Sequence, residues 1–200
     1  NYPLVTASTP GTYDWTTKSG MGVRVDQLTK SKVTWGFEAP TTSGSRWLGL
    51  IDVYFHTSQT PRETDFYPQL DLMIFQSIMD LPFNAQQGNT YFKWVAQNDS
   101  ASKVTIGGNS YVVIVDDSSF VYNRPGGHTI MLFLLPTSFT DTTTHTHWGV
   151  MSPTTHNLKS IIDYFRQASP RNDAGQVIKQ SSGASVSTPL IRDDLYLTAI

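Results

Sequence analysis

Hydrophobic and polar residues alternate with period two along two stretches of the chain. In Tyr67–Ser77, YPQLDLMIFQS, Leu70, Leu72 and Ile74 fall on one side. Gln69, Asp71, Met73, Phe75 and Ser77 fall on the other. Arg46–His56, RWLGLIDVYFH, repeats the pattern, with Trp47, Ile51, Val53 and Phe55 on one side and Leu48, Leu50, Asp52, Tyr54 and His56 on the other. Each stretch predicts a strand with an apolar face and an opposite face that carries one carboxylate. Asp has poor strand propensity, and its charge needs solvent or a partner. An outward Asp on a solvated face is the plain structural reading. Two strands that each offer an Asp and aromatic rings on one face also suit a sugar-processing cleft. There carboxylates serve the glycosidic oxygen and the developing cation, and rings stack on pyranose faces.

The rest of the chain predicts an all-β protein with one helix. Asn1–Gly22 reads as a strand fragment and a long loop holding Tyr13 and Trp15. Trp15 is either an anchoring aromatic or a stacking platform at the cleft edge. Val23–Leu28 and Lys32–Glu38 read as strands, with Glu38 a strand end before Pro40. Ala39–Ser45, Thr57–Phe66 and Ile78–Thr90 read as turns and loops, the last holding Asp80. A meander of short strands follows at Tyr91–Val95, Ser102–Ile106, Tyr111–Val115 and Phe120–Tyr122. Gly107-Gly108-Asn109 supplies a hairpin turn, and Asp116–Ser119 another turn. Thr129–Leu135, TIMLFLL, is apolar on both faces and predicts a strand covered on both sides. Leu158–Arg166 places Leu158, Ile161, Ile162 and Phe165 on one helical stripe. Ser169–Pro189 reads as a long low-complexity loop, and Asp194–Ile200 as a last alternating strand.

Composition narrows the chemistry. The 200 residues suit one large β domain with a real core. With 15% charged residues and a formal net charge of −2, nothing favours nucleic acid or an anionic membrane surface. No apolar run is long enough to span a bilayer, and the chain opens at Asn1 without a signal-peptide pattern. The absence of cysteine excludes disulfides and thiolate chemistry. The Ser/Thr/Asn/Gly-rich, aromatic-rich texture fits secreted, extracellular carbohydrate-active proteins, and Asn98-Asp-Ser is a glycosylation sequon. Thr137–Thr155 reads as an insertion-like Thr-rich loop with His145, His147 and Trp148, and His156 at its end. A His-x-His pair needs a third ligand to hold zinc, and neither a metal nor another cofactor is expected.

Asp52-Val-Tyr-Phe followed by Asp71-Leu-Met-Ile-Phe resembles the paired signature of glycoside hydrolase family 12. Members are β-jelly-roll endo-β-1,4-glucanases and xyloglucanases. The resemblance implies a jelly-roll β-sandwich of two antiparallel sheets with one α-helix, spanning residues 1–200 as one domain. It puts Asp71 at the nucleophile position, where the family carries Glu, and Phe75 where the family carries Trp. Asp52 matches the Asp that supports the nucleophile. Met73, Phe75, Tyr54 and Trp15 then line the substrate, a β-1,4-linked glucan. The family's general acid/base Glu follows a strand like Asp194–Ile200, so its counterpart is expected beyond Ile200. The family's first strands likewise have no counterpart after Asn1.

Three readings follow. The chain belongs to a retaining endo-β-1,4-glucanase; or it is an inactive glucan-binding or decoy relative, which Asp for Glu and Phe for Trp would suit; or it is a structural protein that self-associates through open sheet edges.

Overall fold

The computed structural model describes residues 22–36, 47–59, 68–79, 103–117, 123–124, 127–137, 147–149 and 152–200. Trp15, Glu38, Asp80, His145, the Asn98 sequon and the expected strands at 91–95 and 120–122 lie outside the described residues. So do the side chains of Trp47, Leu48, Ser77, His147 and Trp148.

The two alternating stretches form the longest strands, β3 (Trp47–His56) and β4 (Leu70–Met79). Around them are β1 (Val23–Arg24), β2 (Val33–Trp35), β5 (Lys103–Ile106), β6 (Asn109–Asp116), β7 (Asn123–Arg124) and β8 (Gly127–His128). Then come β9 (Ile130–Pro136), β10 (His147–Gly149), β11 (Thr154–His156), the helix α1 (Leu158–Phe165) and β12 (Tyr196–Ala199). One large sheet has the order β1-β12-β3-β4-β9-β6-β5, with β10 also beside β4. β11 pairs with β2, and β7 with β8, in two small sheets. The chain is therefore mostly β with one helix among the described residues, consistent with a jelly-roll β-sandwich. Among the described strands one pairing is not antiparallel. β4 and β9 run parallel, from Leu70 beside Ile130 to Ile74 beside Leu134. The long connection between them supplies the crossover that parallel strands require.

The apolar side of the alternation makes the main core. Ile51, Val53 and Phe55 of β3 meet Leu70, Leu72 and Ile74 of β4, Leu132 and Leu134 of β9, and Val113 and Val115 of β6. The helix lays its predicted stripe onto this core, with Leu158, Ile161, Ile162 and Phe165 all fully buried. Burying side chains of this size stabilises the fold by about 1.5–3 kcal/mol each before entropy is charged. Asn157 caps the helix by accepting a hydrogen bond from the Ser160 amide at 3.2 Å.

Several local readings change. Val23–Leu28 is a strand only over Val23–Arg24. It then winds into a 3₁₀ turn, Val25–Gln27, that buries Val25 and leaves Asp26 beside Arg24 at 2.7 Å. The Thr-rich loop 137–155 contains β10, bound to the end of β4, and most of β11. The segment after the helix is irregular, yet it buries Ile178, Val186, Leu190 and Ile191 against the core. Backbone bonds from Leu190 and Ile191 to the Phe165 carbonyl, at 3.0 and 3.1 Å, fasten it to the helix end. The β5–β6 hairpin matches its prediction. Ile106 pairs with Asn109 across Gly107 and Gly108, both with positive φ (59° and 91°), as a tight two-residue turn requires.

Candidate functional site

The antiparallel register of β3 and β4 sets Tyr54 opposite Asp71 and Asp52 opposite Met73. Asp52 and Asp71 are thus diagonal neighbours on adjacent strands, about 7–8 Å apart by ordinary strand geometry. They share the face opposite the main core. On the other side of β4, Met131 stands beside Asp71 and Phe133 beside Met73. Asp116 of β6 stands beside Met131. One row across four strands reads Tyr54, Asp71, Met131, Asp116.

Access to this face is uneven. Asp71 is 2% exposed and Phe75 4% exposed. Phe75 packs against Phe133 with ring centroids 6.1 Å apart. Asp52, Tyr54 and Met73 are half-buried and are the accessible members of the group. β4 also carries an extra residue between Phe75, paired with Leu50, and Ser77, paired with Gly49. That residue, Gln76, is buried and donates from Nε2 to the Ser152 carbonyl at 2.7 Å. A bulge of this kind breaks the strict alternation past Phe75.

Both carboxyls hold their protons more tightly than an ordinary aspartate. Burial pushes Asp71 up to about 8, and the nearby Asp52 charge adds to the rise. Burial raises Asp52 to about 6, partly offset by a hydrogen bond from Tyr54. The Oδ1 atoms of both are buried without a hydrogen-bond partner. Among the described residues no Lys or Arg forms an ion pair with either. Near neutral pH the pair therefore presents a carboxylate on Asp52 and a carboxylic acid on Asp71, an acceptor beside a donor.

Five of the residues singled out in the sequence, Asp52, Tyr54, Asp71, Met73 and Phe75, come together on one face. Trp15 lies outside the described residues. The sequence expectation makes Asp116 the start of a turn, but it closes β6 in phase with Val112 and Ile114, and that phase is the signal for its place on the same face. Its carboxylate accepts a hydrogen bond from the Ser181 hydroxyl at 2.9 Å. The histidine at the end of the Thr-rich loop has a different fate. His156 is 4% exposed, and its Nδ1 lies 2.9 Å from the Tyr111 hydroxyl on the core side of the sheet. Among the described residues no cluster of His, Cys, Asp or Glu could hold a metal ion, and no helix is long and apolar enough to cross a membrane.

No family model matches the chain, and no curated protein matches it by sequence. Solved structures do. One comes from a comparison of family 12 glycoside hydrolases and substitutions important for their thermal stability. It is 14% identical, with a TM-score of 0.44, over 91% of this chain and 56% of its own. Another is the xyloglucanase domain of NopAA, a type three effector from Sinorhizobium fredii, in complex with cellobiose. It is 15% identical, with a TM-score of 0.37, over 72% of this chain and 54% of its own. This chain spans about half the length of the solved structures it matches.

Proposed function

We propose that this chain is a glycoside-hydrolase-like protein that takes a β-1,4-linked glucan across the Asp52–Asp71 face and cleaves it with retention. The observation that carries the reading is the carboxyl pair itself: two aspartates on one sheet face, free of cationic partners among the described residues, beside the half-buried Tyr54 and Met73. In the first step an Asp71 oxygen bonds to the anomeric carbon as the glycosidic carbon–oxygen bond breaks. The leaving oxygen takes its proton from a second carboxyl group acting as general acid. Water then releases the sugar from Asp71. Asp71 attacks only when ionised, so the rate of an active form rises with pH through the Asp71 titration. Asp is one methylene shorter than Glu, a displacement that can cost about 100-fold in rate.

One observation favours a second reading. Asp71 is buried and protonated at neutral pH, which suits hydrogen bonding to a sugar hydroxyl better than attack on carbon. The two are separated by pairing a reducing-sugar assay with calorimetric titration of cellohexaose, on wild type and Asp71→Asn. Sugar release abolished in the variant, with binding kept, supports hydrolysis. Binding without release in the wild type supports the second reading. Neither binding nor release in the wild type removes both.

A further inference from the structure

The ladder between β12 and β3 is irregular at one residue. Tyr196 pairs with His56 and Leu197 with Phe55, but Ala199, not Thr198, pairs with Tyr54. Thr198 is the extra residue of a bulge, and a bulge interrupts the regular exchange of ladder hydrogen bonds. The Thr198 side chain occupies that gap. It is fully buried, and its hydroxyl donates to the Tyr54 carbonyl at 3.1 Å. A hydroxyl has one proton to give. The second contact of the same oxygen, 2.7 Å from His56 Nδ1, must therefore be one it accepts. His56, 2% exposed, is thereby fixed with a proton on Nδ1. Register places His56 on Asp71's other diagonal, so Tyr54 stands between Asp52 and His56 on β3 and directly across from Asp71.

We propose that Thr198 and His56 are positioning residues for the carboxyl face: together they fix the backbone of Tyr54 at the bulge so that its hydroxyl stays on Asp52. The chain of contacts runs from His56 Nδ1–H to the Thr198 oxygen, from the Thr198 hydroxyl to the Tyr54 carbonyl, and from the Tyr54 phenol to the Asp52 carboxylate. The inference rests on the proposed function for its meaning in catalysis, but not for its test. The Tyr54 bond is the contact that favours the Asp52 anion over its acid. Removing its support moves the Asp52 titration toward higher pH.

The experiment is an NMR titration of the aspartate carboxyl carbons in wild type, Thr198→Val, Thr198→Ser and Tyr54→Phe. Tyr54→Phe sets the full upward shift of the Asp52 midpoint. Thr198→Val, which keeps shape and loses the hydroxyl, reproduces a large part of it, and Thr198→Ser restores the wild-type midpoint. Should Thr198→Val fail to fold, His56→Phe carries the same test, since it removes the donor to Thr198, and it gives a smaller shift of the same sign. An Asp52 midpoint unmoved in a folded Thr198→Val or His56→Phe, or unmoved in Tyr54→Phe, overturns the proposal. Absence of glucan hydrolysis alongside a shifted Asp52 midpoint counts against the proposed function and leaves this coupling standing.

Discussion

On one face of the large sheet Asp71 is buried with Asp52 on its diagonal; on the other, His156 is buried against Tyr111. Both places withdraw ionisable groups from water, and in both burial is the first cause of the shift. The signs are opposite. Burial disfavours the charged form, so it raises an acid and lowers a base. Asp71 is lifted to about 8, and His156 is held below the usual histidine range. At neutral pH both are uncharged, and each resists one direction of pH change. For Asp71 the folded value lies above the unfolded one, so its stabilising effect is complete below about pH 4 and fades as pH rises through 8. For His156 the folded value lies below 6.5, so its effect is complete above that pH and is lost as pH falls toward the folded value. Between about pH 4 and 6.5 the two effects oppose each other: a rise in pH weakens the Asp71 contribution and restores that of His156.

The largest effect expected is on the acid face. Asp71→Asn keeps the shape and removes the titration. Across its window a single shifted group costs up to about 1.4 kcal/mol per pH unit. The variant should therefore match wild type near pH 4 and exceed it by several kcal/mol near pH 8, read as a denaturant midpoint at each pH. Curves for wild type and variant that stay parallel from pH 4 to 8 would show that Asp71 is not held protonated. Loss of sugar release in this more stable protein would also separate function from stability at this residue.

A pH-independent loss at the histidine corner makes the control. Gly107 has φ +59°, and a Cβ there would sit 2.8 Å from Cβ of Asn157, the helix cap next to His156. Gly107→Ala should cost about 2–3 kcal/mol from backbone strain and overlap. The loss should be equal at pH 5 and pH 8, because no charge changes. A loss that grows in acid would mean that the hairpin and His156 titrate as one unit.

The difference between the faces explains what the sequence could and could not reveal. β3, β4, β9 and the helix were legible because each buries a periodic pattern: alternation in the first two, an apolar run in the third, a stripe in the last. The carboxyl pair was legible for the same reason, since alternation assigned Asp52, Tyr54, Asp71 and Met73 to one face. Its depth was not. Asp71 is 2% exposed with Met131 beside it on β9, a neighbour supplied by a parallel pairing that no local pattern announces. Ile178, Val186, Leu190 and Ile191 are buried one at a time by an irregular segment, so they leave no period to detect. β10 is three residues long, too short for alternation to register. His156 stands at the end of a Thr-rich loop in the sequence, and its partner, Tyr111, is 45 positions away, beyond the reach of any local pattern.

A smaller effect is expected from Tyr111→Phe, which removes the hydroxyl facing His156 Nδ1. Tyr111 is 3% exposed, and losing a buried hydrogen bond while leaving its partner unsatisfied costs about 1–3 kcal/mol. The phenol also receives a hydrogen bond from Asn109, whose amide donates to the Thr155 carbonyl at 2.8 Å as well. Thermal unfolding of Tyr111→Phe, with Asn109→Ala as a companion, should show losses that fail to add, since both act through one oxygen. Strict additivity would mean that the Asn109–Tyr111–His156 line does not act as a network.

The smallest effect, and the sharpest test of the comparison, is the acid slope of His156 itself. One ring nitrogen of His156, Nδ1, meets the Tyr111 hydroxyl at 2.9 Å, which leaves Nε2 as the other. That Nε2 atom is buried without a hydrogen-bond partner, so a second proton on the ring would add charge where nothing receives it. The titratable group facing it is Tyr111, itself raised to about 12 and thus neutral throughout. On the adjoining helix Lys159 is already paired with Asp163. His156→Asn replaces the ring with a group that can still meet the Tyr111 hydroxyl but cannot be protonated. It should lower stability by about 1–2 kcal/mol at pH 7 through lost packing. Below pH 6.5 its stability should fall less steeply than that of wild type, and the gap between them should narrow. A gap that stays constant from pH 7 to pH 5 would show that His156 keeps an ordinary affinity for its proton, and the opposition between the two faces would then rest on Asp71 and Asp52 alone.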